Sequence, residues 1–94
     1  MIRSTAEPNR IQATDAAVAE LLESLRLAGL VPDRRSVTAD GSILFEFFSP
    51  DVAGVDIYPN GEAIVVIREG NVDHVHELLV SDTERIVALL KDGR

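Results

Sequence analysis

The residues best suited to chemistry lie together at Asp73-His74-Val75-His76-Glu77, which holds both histidines of the chain. On a strand, His74 and His76 would point to one side, about 7 Å apart, a separation that suits two ligands of a divalent metal. A closed site needs three or four ligands, and the chain has no third histidine and no cysteine. Asp73 and Glu77 would face the other way on that strand and could not complete the set. The bland reading, solvated or edge-strand histidines, is therefore preferred. No metal, cofactor-binding or catalytic residue is assigned, and no cofactor is expected.

Other reaction signatures are missing. The chain contains no G-x-S-x-G elbow, no G-x-G-x-x-G and no P-loop. Its sixteen acidic residues supply carboxylate pairs in abundance, but without a spacing rule such pairs carry no information. Asp40-Gly41 and Asn60-Gly61 read as turn glycines, not phosphate cradles. An enzyme is not expected. A small enzyme or metal protein centred on His74 and His76 is kept as a second alternative, and it would need a concave pocket around those side chains.

Composition narrows the classes further. Ninety-four residues make one domain, and nine basic residues against sixteen acidic ones give a net charge of -7. That balance repels phosphate backbones and anionic bilayers, so neither direct nucleic-acid binding nor membrane binding is expected. The start, "MIRSTAEPNRIQA", lacks an apolar h-region, and no apolar run approaches spanning length. A cytoplasmic location is expected. Eight of the nine basic residues are Arg, the usage of a GC-rich bacterial genome.

Any site must be positioned by elements that can be read along the chain. Residues 1–12 are polar, contain Pro8 and lack periodicity, so they read as a flexible tail before a single domain over 13–94. Val18, Leu21, Leu22 and Leu25 have helical spacing, with Thr14 as cap and Asp15 at the positive end of the dipole. Gly29 and Leu30 supply a Schellman ending and Pro32 a stop. Strands follow at "RSVTA", "SILFEFF", "VDIY" and "EAIVVIR". Asp40-Gly41 reads as a two-residue hairpin turn because both positions tolerate positive φ, and Pro59-Asn60-Gly61 as a second turn. Residues 72–80 suit a strand or a helical turn, and the strand is preferred. Ser81 and Glu84 match a capping box before a final helix with Ile86, Val87, Leu89 and Leu90, running up to Gly93. The expected fold is α+β: an antiparallel meander of four to five strands, with an N-terminal and a C-terminal helix packed on one face.

Alternation then sorts the side chains. Ile43, Phe45, Phe47, Val55, Ile57, Ala63, Val65 and Ile67 form a purely apolar set suited to the face beneath the helices, with Phe45, Phe47, Ile57 and Val65 expected under Leu21, Leu25, Ile86 and Leu90. The opposite face should meet solvent, yet it carries Leu44, Phe48, Tyr58, Ile64 and Val66, with Arg68 among its charged residues. Such a patch on an otherwise polar protein marks an interface. The expected protein-binding residues are thus Leu44, Phe48, Tyr58, Ile64, Val66 and Arg68, with Glu46, Asp56 and Arg68 setting orientation at the rim.

From about residue 14 to residue 90, "DGSILFEF" followed by "VDIYPNGE" resembles a set of small bacterial helix–meander–helix proteins, mostly without an assigned activity. Many of them carry a Trp-containing segment before the first helix, where this chain reads "EPNRIQAT" and has no Trp. Such proteins are often encoded beside a second short partner or within mobile elements, which implies protein binding. The function expected is a small protein-binding module, first as a homodimer closed by a twofold axis and possibly with another protein. The alternative from a different class is an acidic inhibitor or nucleic-acid mimic of the anti-defence type from a phage or mobile element, which would need carboxylates clustered on one face.

Overall fold

A computed structural model describes residues 3–49 and 52–92. The chain runs α1 (Arg3–Leu27), β1 (Arg34–Val37), β2 (Ile43–Phe47), β3 (Ala53–Ile57), β4 (Glu62–Glu69), β5 (Val72–Leu79) and α2 (Thr83–Asp92). The strands form one sheet in the order β1-β2-β3-β4-β5, every neighbour antiparallel. This is the expected α+β meander with a helix at each end, and residues 72–79 are strand. Among the described residues no helix is long and apolar enough to cross a membrane.

The first helix departs from expectation at its start. It begins at Arg3, so residues 3–12 of the stretch expected as a loose tail are helical, and Thr14 and Asp15 lie inside the helix instead of capping it. The reason is the basis of the reading: hydrophobic periodicity finds a helix by the face it buries, and this stretch has no apolar stripe to find. Ala6, Glu7, Arg10, Gln12 and Ala13 are good helix formers. The other end follows the sequence closely. Leu30 N donates to Leu25 O at 2.8 Å and Gly29 N to Arg26 O at 3.0 Å, the Schellman pattern, with Gly29 at φ 81°.

Two hairpins share one turn design. In Thr38-Ala39-Asp40-Gly41, Gly41 N donates to Thr38 O at 3.0 Å, Thr38 N to Ser42 O at 2.9 Å, and Ser42 N to the Asp40 carboxylate at 3.1 Å. In Tyr58-Pro59-Asn60-Gly61, the corresponding bonds are 2.9, 2.9 and 3.0 Å, the last to the Asn60 side chain. Each is a turn closed by one left-handed glycine, Gly41 or Gly61; Asp40 does not take positive φ, so the two-residue turn expected there is corrected. The Asp or Asn side chain accepts the amide two residues on, which removes the need for a second left-handed residue. The hydroxyl of Thr38 also donates to Asp40, and these bonds hold the Asp40 carboxyl below its ordinary range.

Register fixes which side chains share a face. Phe45 stands opposite Val55, Val55 opposite Val65, and Val65 opposite His76. Phe45, Phe47, Val55, Ile57, Val65 and Ile67 are buried in one cluster with Val18, Leu21 and Leu25 of α1 and Ile86 and Leu90 of α2. The core therefore lies between the sheet and the helix pair, and the expected inner set is the observed one. At the β1 edge the Arg35 guanidinium stands 5.6 Å from the Phe45 ring centroid and closes the end of this layer. The final helix starts one residue later than the expected capping box. Asp82 precedes Thr83, Ile86 N donates to Asp82 O at 3.0 Å, and the Asp82 carboxylate turns back to Leu79 N at 3.1 Å. Gly93 lies outside the described residues.

Candidate protein-binding face

The other face of the sheet belongs to neither helix. Its residues are the alternate positions: Arg34 and Ser36 on β1, Leu44 and Glu46 on β2, Gly54 and Asp56 on β3, Glu62, Ile64, Val66 and Arg68 on β4, and Asp73, Val75, Glu77 and Leu79 on β5. Leu44, Ile64 and Val66 are half-buried by their cross-strand neighbours alone. Val75 and Leu79 are 58% and 51% exposed, so the apolar strip runs outward to the sheet edge.

Five of the six residues expected to bind protein line one groove of about 350 Å³: Leu44, Tyr58, Ile64, Val66 and Arg68. The sixth, Phe48, is 51% exposed but is not among the residues lining it. It follows the last residue of β2, where its backbone N donates to the Asp33 carboxylate at 2.7 Å. The expected rim residues Glu46, Asp56 and Arg68 all line the groove.

Gly54 gives the groove its depth. It stands between Glu46 and Val66 in register and contributes no side chain. A Cβ placed there would lie 3.7 Å from Leu44 Cδ1 and 3.8 Å from the Phe45 carbonyl oxygen, both ordinary contacts. Gly54→Ala should therefore fold normally, with a melting temperature equal to or above wild type, because Ala loses less backbone freedom in a strand. A clear fall in melting temperature would mean that the strand bends there in a way only glycine permits. On sequence this strand starts at Val55 and Gly54 falls in the connecting loop; pairing with Glu46 and Val66 carries β3 back to Ala53, and an isolated glycine within a strand is itself a signal of close approach or a hollow.

Polar contacts organise the rim. Arg68 Nε donates to the Asp73 carboxylate at 3.0 Å, directly across the β4–β5 pair, and this bond holds the Asp73 carboxyl below its usual range. Arg34 reaches Glu46 at 3.6 Å. The Tyr58 hydroxyl donates to the Asp56 carboxylate, and this bond, with the carboxylate's charge, holds the phenol above its ordinary value. The phenol thus stays neutral and can serve as donor or as an amphipathic contact.

The histidines lie on the helix side, not on this face. His74 stands opposite Ile67 and His76 opposite Val65, both inner-face residues, while Asp73 and Glu77 point outward as expected. Both histidines are half-buried on the edge strand, so the fully solvated version of that expectation is corrected. His74 Nε2 lies 3.1 Å from Glu69 Oε1, and His76 Nε2 is buried without a hydrogen-bond partner among the described residues. Among the described residues no three His, Asp or Glu side chains converge on a metal position.

No family model, curated protein or solved structure matches this chain.

Proposed function

We propose that this protein is a small protein-binding module, without catalytic activity of its own, that acts through the outer face of its sheet. The observation that supports it is the set of apolar side chains Leu44, Ile64, Val66, Val75 and Leu79 on a sheet face that, among the described residues, neither helix covers. A two-layer domain has no structural need for apolar side chains there, and apolar groups gathered on an open face among polar ones are found at interfaces. Its layout also fits: an apolar centre, a tyrosine at the margin, and charged residues around it. The homodimer expected from the sequence and a complex with a different protein both fit this reading.

Ile64→Asp and Tyr58→Asp test it. Both variants should keep the wild-type circular dichroism spectrum and lose association. Association is read by light scattering for a second copy and by co-purification from host extract for another chain. Unchanged association in both variants would remove the outer face from the function, and loss of fold would place these side chains in the core.

A further inference from the structure

We infer that the outer face receives a polypeptide surface presenting lysine or arginine side chains around apolar anchors, and not a second copy of this chain. The inference rests on the reading of that face as a protein-binding surface and adds the chemistry of the occupant.

Charge decides between the two occupants. The groove already described continues, at Ile64, into a second hollow of about 420 Å³ at the β4–β5 end of the sheet. The first is lined by Glu46, Asp56 and Asp73 with Arg68, and the second by Glu62, Glu77 and Asp82 with no basic residue. Six carboxylates thus flank the apolar residues against two arginines on the face, and both are already held, Arg68 by Asp73 at 3.0 Å and Arg34 by Glu46 at 3.6 Å. Glu62 and Glu77 enter no ion pair among the described residues. A twofold dimer through this face would set the same carboxylates of two copies against one another while removing the water that screens them, and each copy carries a net charge of -7. A cationic partner reverses every one of those terms and is drawn in by the same field. The apolar strip separates this surface from a nucleic-acid mimic, whose function needs carboxylates but no apolar centre.

The probes are two synthetic peptides, one alternating lysine with leucine and the other alternating glutamate with leucine, titrated into the full-length isotope-labelled protein. The expected result is that wild type is monomeric by light scattering at all concentrations. The lysine peptide alone should shift the amide signals of Ile64, Val66, Glu77 and Leu79. The Glu62→Gln/Glu77→Gln double variant, which is isosteric and surface-exposed, should bind it roughly tenfold more weakly at low salt, the order expected for charges that steer and orient. Concentration-dependent dimerisation that Val66→Asp abolishes would overturn the inference and leave the protein-binding reading standing. Equal shifts at exposed acids of the helices, such as Glu20 and Glu84, would also overturn it, since they would show only attraction to an acidic protein. If neither peptide nor concentration moves the outer-face signals, the inference and the reading beneath it both fall.

Discussion

Phe45→Ala should lose roughly 3–5 kcal/mol of folding stability, which is about a fifth or more of what a domain of this length possesses at about 0.05–0.15 kcal/mol per residue. Phe45 is fully buried at the middle of β2, paired with Val55 on one side and Arg35 on the other, and packed in the same cluster as Leu21, Leu25, Ile86 and Leu90. Truncation removes the largest fully buried side chain and leaves a cavity between two layers that cannot close independently. The stacked Arg35 guanidinium loses its ring as well. Thermal unfolding followed by circular dichroism should show a midpoint lowered by at least roughly 12 °C, at about 4 °C or more per kcal/mol in a domain this small. A midpoint within about 3 °C of wild type would mean that the two sheet faces are assigned the wrong way round.

The second large effect contrasts two adjacent residues. Val65→Asp should unfold the protein at neutral pH, whereas Val66→Asp should leave it folded. Val65 is fully buried between Val55 and His76 in register, so a carboxylate there has no water and no cationic partner assured. An uncompensated buried charge costs about 3–5 kcal/mol, comparable with the whole stability of the domain. Val66 stands between Gly54 and Val75 on the open face, where its replacement meets solvent. The two variants should also respond oppositely to pH. In the Val65 variant, burial raises the folded-state pKa of the new carboxyl above its unfolded value, so the folded state gains relative stability as pH falls towards the carboxyl range and the proton is taken up. Val66→Asp should show no such recovery. If both variants fold equally well at neutral pH, the alternation of β4 does not separate core from surface.

That separation was legible in the sequence wherever a period of two ran through apolar residues. Phe45, Phe47, Val55, Ile57, Val65 and Ile67 were placed on the buried face correctly because burial on one side of a pleated strand forces alternation. The Schellman ending at Leu25, Gly29 and Leu30 was equally local, since left-handed φ and a hydrophobic return are properties of a few adjacent residues. Two local signals failed for stated reasons. Helix α1 starts at Arg3 without an apolar face to announce it, and α2 begins after Asp82, whose carboxylate is drawn to Leu79 N, so Ser81 is not its cap.

Local pattern thus determined the strands, most turns, the two helices and the division of the sheet into a wholly apolar face and a mixed one. Tertiary structure alone decided what the mixed face is. Glu46, Asp56, Glu62, Asp73, Glu77 and Asp82 are scattered singly along the chain, where no spacing rule groups them. Strand order and register bring them around Leu44, Ile64 and Val66, because antiparallel pairing stacks alternate residues of successive strands about 5 Å apart whatever their separation in sequence. The same register turned His74 and His76 towards the helices, since a strand shows which residues share a side but only its neighbour shows which side that is.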